Sequence, residues 1–148
     1  MGINPTFGGQ ILGLILEAAA IANLADNAAS SPDTLLYVSL HTADPATVAG
    51  AGSVATQNAS EAAYTGYARV AINRNTGAWT ITGNSISPQA PITFPIATGG
   101  PETETYIGIG TAASGTGKLL WSGALSSSLA VAVGTNPQLT TATSIAMT

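Results

Sequence analysis

The chain predicts an all-β protein, a sandwich or barrel behind one N-terminal helix, and three observations carry that reading. From residue 35 onward apolar residues recur at every second position, the period of a half-buried strand. About eight short runs of this kind follow at spacings near a dozen residues, separated by Gly, Pro and Asn turn signals. Helical periodicity is confined to the stretch before them. At 148 residues the chain suits one domain, with 1–34 as arm and helix and 35–148 as the β-sandwich.

Gly2-Ile3-Asn4-Pro5-Thr6-Phe7 reads as an extended arm. A helix is expected over 8–28, where Ile11, Leu14, Ile15, Ala18, Ile21, Ala22 and Ala25 recur at three- and four-residue spacing. Leu12, Leu16 and Leu24 widen its apolar stripe, so the helix is covered on more than one side. Residues 11–25 fall short of the ~20 needed to span a bilayer. No Lys or Arg precedes Arg69 to build a secretory n-region, so the segment reads as a packed helix rather than a targeting or membrane element. Ser30-Ser31-Pro32-Asp33 ends it.

The strands expected next are 35–43, 67–73, 79–83, 92–97, 105–112, 118–125, 129–133 and 139–147. YARVAIN (67–73) shows the pattern best, with Val70 and Ile72 on one face and Tyr67, Arg69 and Asn73 on the other. Turns are expected at Asn75-Thr76-Gly77, Ser87-Pro88, Gly99-Gly100-Pro101, Ser114–Gly117 and Gly134–Pro137. Pro95 suits an edge strand or a bulge. The longest stretch without a regular element is 44–66. A segment that long in a compact domain is usually functional or disordered, and the preferred reading is an ordered excursion that touches a neighbouring subunit.

Charge is the outlier of the composition. Lys and Arg number 3, Asp and Glu 7, so charged residues are 7% of the chain, against roughly 25% in an ordinary soluble domain. Hydrophobic content is an ordinary 45%, so Gly, Ala, Ser and Thr have replaced the charges. Charges collect where protein meets water, because desolvating them is costly. A chain this poor in them is expected to have part of its surface covered by other chains. Three scattered cations and a net charge of −4 argue against nucleic acid, whose binding rests on phosphate neutralisation. With no cysteine, disulfides and thiolate metal sites are excluded.

Motifs for chemistry are weak. The run Gly108–Lys118 looks like a phosphate loop, but Ala112 stands where the first glycine belongs and Leu119 where Ser or Thr must follow the lysine. A strand follows instead of a helix, so the run reads as a hairpin connection. His41, the single histidine, has Ser39 and Asp44 close by, yet triads draw their members from distant segments. Glu102 and Glu104 could pair for metal or acid–base work. Their setting after Gly99-Gly100-Pro101 reads as the solvated mouth of a turn. Asn58-Ala59-Ser60 matches the glycosylation sequon, as Ser- and Thr-rich chains do by chance. The aromatics are scattered over different strands, with no cluster suggesting a sugar platform or a base-stacking surface. Phe7 stands apart as a possible anchor for a partner's pocket.

The ordered strings LYVSLHTADP (36–45), GYARVAINR (66–74), FPIATGG (94–100) and TYIGIGTAASGTGKLLWSGALSSSLAVAVG (105–134) resemble a family of small virion proteins of tailed bacteriophages. Its members are often labelled tail or tail-fibre proteins, and some relatives coat the head as cement, or decoration, proteins. The resemblance implies a jelly-roll-like β-sandwich, which fits the strand count. It implies oligomers, dimers or trimers, on the outer surface of the capsid after synthesis in the host cytoplasm, with the major capsid protein as partner. It supplies no catalytic residue. The expectation is therefore a non-enzymatic capsid cement protein, with a tail- or baseplate-associated structural protein and a carbohydrate-binding module for host attachment as alternatives. No cofactor, nucleic acid or membrane partner is expected. The interface residues are expected to be Asn4, Pro5, Phe7, Ile11 and Ile15 at the N-terminal end, and Val48, Val54 and Tyr64 in the 44–66 excursion.

Overall fold

A computed structural model describes residues 5–20, 33–48 and 56–146. The protein is predominantly β with one helix of any length, as its period-two patterning requires. The strands are β1 (Leu35–His41), β2 (Val70–Asn73), β3 (Trp79–Thr82), β4 (Ser85–Pro88), β5 (Ile92–Thr93), β6 (Glu102–Gly110), β7 (Leu119–Val131), β8 (Gln138–Leu139) and β9 (Ile145–Ala146). The helices are α1 (Pro5–Leu16) and the single turn α2 (Pro45–Val48). Among the described residues no helix is long and apolar enough to cross a membrane. Two compact units form, each from separated pieces of chain: unit 1 from the described parts of 1–35, 72–92 and 139–148, unit 2 from those of 36–71 and 93–138.

In unit 1, α1 packs on the β3–β4 hairpin, whose sheet runs in the order β3-β4-β9. Pro5 opens the helix, where a missing N–H costs nothing. Gly9 explains the close approach: a Cβ there would fall 2.1 Å from the carbonyl oxygen of Gly83. Leu12 and Leu16 are fully buried, while Ile11, Leu14 and Ile15 are half-buried. The expected stripe is therefore rotated, with the residues read as its margin forming the seam. The helix also stops early. Ala18 adopts φ 58°, and its turn brings the Ala19 amide to the carbonyl of Gly13 at 3.0 Å. Residues 17–20 are non-helical, and the expected continuation over 21–28 lies outside the described residues. Arg74 completes the C-terminus, its guanidinium donating to the carbonyls of Leu14 and Ile15 and, at 3.1 Å, of Asp33. A cation on the last carbonyls satisfies orphan acceptors and complements the helix dipole. Trp79, 1% exposed, donates from Nε1 to the Asn73 carbonyl at 3.1 Å.

Unit 2 is built on β1, β6 and β7, with β6 in the middle and paired antiparallel to both neighbours. β1 pairs β6 from Tyr37–Gly110 to His41–Tyr106. β6 and β7 pair from Glu102–Val131 to Gly110–Leu119, with a register shift between Glu104 and Tyr106 that leaves Leu125–Ser128 without partners on β6. Two strands expected at 118–125 and 129–133 are thus one strand with a bulge. Ser87-Pro88 ends β4 rather than forming a turn, with Pro88 opposite Trp79.

The later half of the 44–66 excursion is a strap laid across unit 2. Bridges join Thr56 to Lys118, Glu61 to His41 and Thr65 to Gly99. Residues 56–66 are ordered, and their hydrogen bonds run to residues of unit 2 of the same chain.

Candidate functional site

The strap converts isolated polar residues of the sheet into one buried polar layer of unit 2. β1 places Ser39 and His41 on one face, and both are completely buried. The His41 ring bonds the Ala59 carbonyl through Nδ1 and the Ser39 hydroxyl through Nε2, each at 2.8 Å. The carbonyl can only accept, so Nδ1 carries the proton and Nε2 accepts from Ser39. Burial pushes the His41 pKa down, which favours this neutral form. No carboxylate orients the ring and no solvent reaches the hydroxyl. The Ser39–His41 pair is a sealed cross-link between strand and strap.

Next to it, Glu61 and Arg69 form a two-pronged ion pair, Nε to Oε1 at 2.6 Å and Nη2 to Oε2 at 2.7 Å. The guanidinium also donates to the carbonyls of Ala112 at 2.8 Å and Gly115 at 2.6 Å. Tyr67 donates to Glu61 Oε1 at 2.9 Å and accepts from the Leu40 amide at 3.2 Å. Burial first, and the Glu61 charge second, push the Tyr67 pKa far above the usual phenol value. A cavity of about 240 Å³ borders Glu61, Tyr67, Arg69 and Ser114. Arg69 is 8% exposed and spent on Glu61 and two carbonyls, so the cavity offers no free charge to an anion.

Gln57, fully buried, donates to the Tyr37 carbonyl at 2.7 Å and accepts from the Ala112 amide at 3.3 Å. This is where the glycines of the phosphate-loop lookalike act. A Cβ on Gly108 would lie 2.6 Å from His41 Nε2, and one on Gly110 2.3 Å from Gln57 Oε1. They are packing glycines that admit the buried layer. Gly110→Ala is expected to cost about 1–3 kcal/mol in urea unfolding, because Gln57 is held at both ends and cannot yield.

Glu102 and Glu104 depart furthest from expectation. They lie on β6, not at a solvated turn. Glu102 Oε1 accepts the amides of Ala63 at 2.7 Å and Tyr64 at 2.8 Å, pinning the strap. Glu104 is fully buried with neither carboxyl oxygen hydrogen-bonded. Burial, with the neighbouring Glu102 charge, pushes its pKa up to about 8. Among the described residues no group of three or more His, Asp or Glu could hold a metal ion.

Of the expected interface residues, Tyr64 is placed inside instead. It is 2% exposed, donates to the Pro95 carbonyl at 3.0 Å, and meets Tyr67 edge to face at 5.3 Å, with Phe94 stacked beyond at 6.3 Å. Burial and the charges of Glu104 and Glu102 raise its pKa to about 12. Tyr64, Tyr67 and Phe94 do cluster, contrary to the scattered reading, but in the core and not as an exposed platform. Ile11 and Ile15 are half-buried on α1. Pro5 and Phe7 belong to the first turns of α1, where an extended arm was expected, and Val48 ends α2. Asn4 and Val54 lie outside the described residues.

Charge is used internally throughout. Among the described residues only Asp33 and Lys118 of the ionisable acids and bases are exposed; the others are buried or half-buried. The described residues thus form a β-rich scaffold with a sealed polar layer. Residues 14–147 match the family described as Podophage GP4 fiber I protein gp80, and the chain belongs to it. It is a bacteriophage virion structural protein. No curated protein matches it.

Proposed function

We propose that the protein is a component of the phage fibre apparatus and acts by binding other virion chains, without catalysis. The observation that carries this reading is the placement of charge. Glu61, Arg69, Arg74 and Glu102 hold the fold together from within, which leaves a neutral, Ser- and Thr-rich exterior. Such a surface carries little desolvation cost when a second protein covers it. The family's description as a fibre protein favours the tail over the head. Binding without chemistry would equally serve a cement protein on the capsid, so location is the discriminating measurement. Immunogold labelling and copy number in purified virions are expected to show a small number of copies confined to the tail. Label spread over the head in hundreds of copies would overturn the fibre assignment in favour of cement.

A further inference from the structure

A cavity of about 440 Å³ opens between α1 and the β3–β4 hairpin, walled by Gly9, Gly13, Ala19, Ala20 and Ile81. Gln10 and Glu17 are its polar side chains. The Glu17 carboxyl lies over Gly13, 3.9 Å from where a Cβ would stand. Burial pushes its pKa up, and no cation is beside it to offset that cost. A carboxylate on an apolar wall is a site for a cation.

The chain's supply of cations is short enough to inventory. Its cationic side chains number three, Arg69, Arg74 and Lys118, and the residues outside the described segments contain no Lys or Arg. Arg69 is committed to Glu61 and two carbonyls, Arg74 to the end of α1. Lys118, exposed after the β6–β7 turn of unit 2, has no side-chain partner among the described residues. Residues 21–32, which follow the cavity's last wall in sequence, carry no Lys or Arg and cannot neutralise Glu17.

We propose that Lys118 of one copy inserts into the Glu17 cavity of a second copy, joining protomers head to tail. A lysine suits it, since its slim stem lies along apolar walls while the ammonium reaches the carboxylate. Pocket and lysine are different surfaces of the same chain, so the contact is heterologous. Each added copy presents a fresh lysine and a fresh pocket, and the series closes into a ring or extends as a filament.

Sedimentation of purified protein over a concentration series tests this. Wild type is expected to form concentration-dependent species larger than dimers. Glu17→Gln and Lys118→Ala are each expected to weaken association about tenfold or more. The head-to-tail geometry has its own signature. Mixed one to one, the two variants are expected to form dimers and stop there, because each retains the half that the other lacks. The double exchange Glu17→Lys with Lys118→Glu is expected to regain assembly, which separates a lost contact from a misfolded variant. Wild type that stays monomeric at every concentration overturns the proposal, as do single variants that assemble like wild type. A mixture that stays monomeric while wild type assembles also overturns it.

Discussion

Replacing Glu104 by Gln is expected to leave stability near that of wild type at pH 4 and to raise it progressively toward pH 8. Glu104 is fully buried on β6 beside Glu102, with neither oxygen hydrogen-bonded and its pKa raised to about 8 from the ordinary 4.5. Below the ordinary value both folded and unfolded chains keep the proton, and ionisation contributes nothing to the balance. Between there and about 8 the unfolded chain releases its proton while the folded one retains it, so stability falls with rising pH. Above about 8 the folded protein carries a buried charge next to Glu102 and the full cost is present. Gln has the same shape and no proton to lose. The variant is therefore expected to gain about 2–4 kcal/mol over wild type by pH 8 to 9, less than ideal burial would give. The difference between the two melting curves across pH isolates Glu104, since contributions from His41 and Glu17 cancel. Parallel curves from pH 4 to 9 would show that the carboxyl finds a partner in solution.

The second large effect lies at Glu61 and Arg69. Removing either partner leaves the other without its counter-charge, and Arg69→Ala also strips donors from the Ala112 and Gly115 carbonyls. Each single substitution to Ala is expected to cost about 3–5 kcal/mol, a large share of the roughly 5–15 kcal/mol that holds a domain folded. The double substitution is expected to cost clearly less than the sum of the singles, because the second removal takes away an already unpaired charge. Urea midpoints of the three variants decide it. Singles that cost under about 1 kcal/mol would place this pair with ordinary surface ion pairs.

These two sites mark the limit of what the sequence made legible. β1, β3 and β6 were readable because their neighbours lie on a sheet face, and a period of two reports a sheet face directly. β4 was hidden by Ser87-Pro88, which signals a turn locally. Pro88 ends that strand, where a missing N–H is tolerated. The first residues of α1, Pro5–Phe7, were hidden because Gly2–Phe7 read as an extended arm, and the need for Gly9 rests on the Gly83 carbonyl, a contact remote in sequence. The buried layer had no signature at all. It joins residues near 40, 60, 69 and 112 only once the strap is in place, and no spacing rule connects them. Glu102 looked solvated because its partners, the amides of Ala63 and Tyr64, lie 39 and 38 residues earlier.

The interleaving of the two units bears on the order of synthesis. Ser85 and Ile86 of β4 meet Ala146 and Ile145, while β1 waits for β6 and β6 for β7. Neither unit can finish its sheet from an N-terminal portion of the chain. A nascent chain that has reached residue 100 holds β1 without β6, and β4 without β9. Its open strand edges are then exposed together, the condition under which growing chains pair with one another before they fold. Slowing elongation before residue 146 is expected to lower yield, because β4 then waits longer for β9 with its edge open.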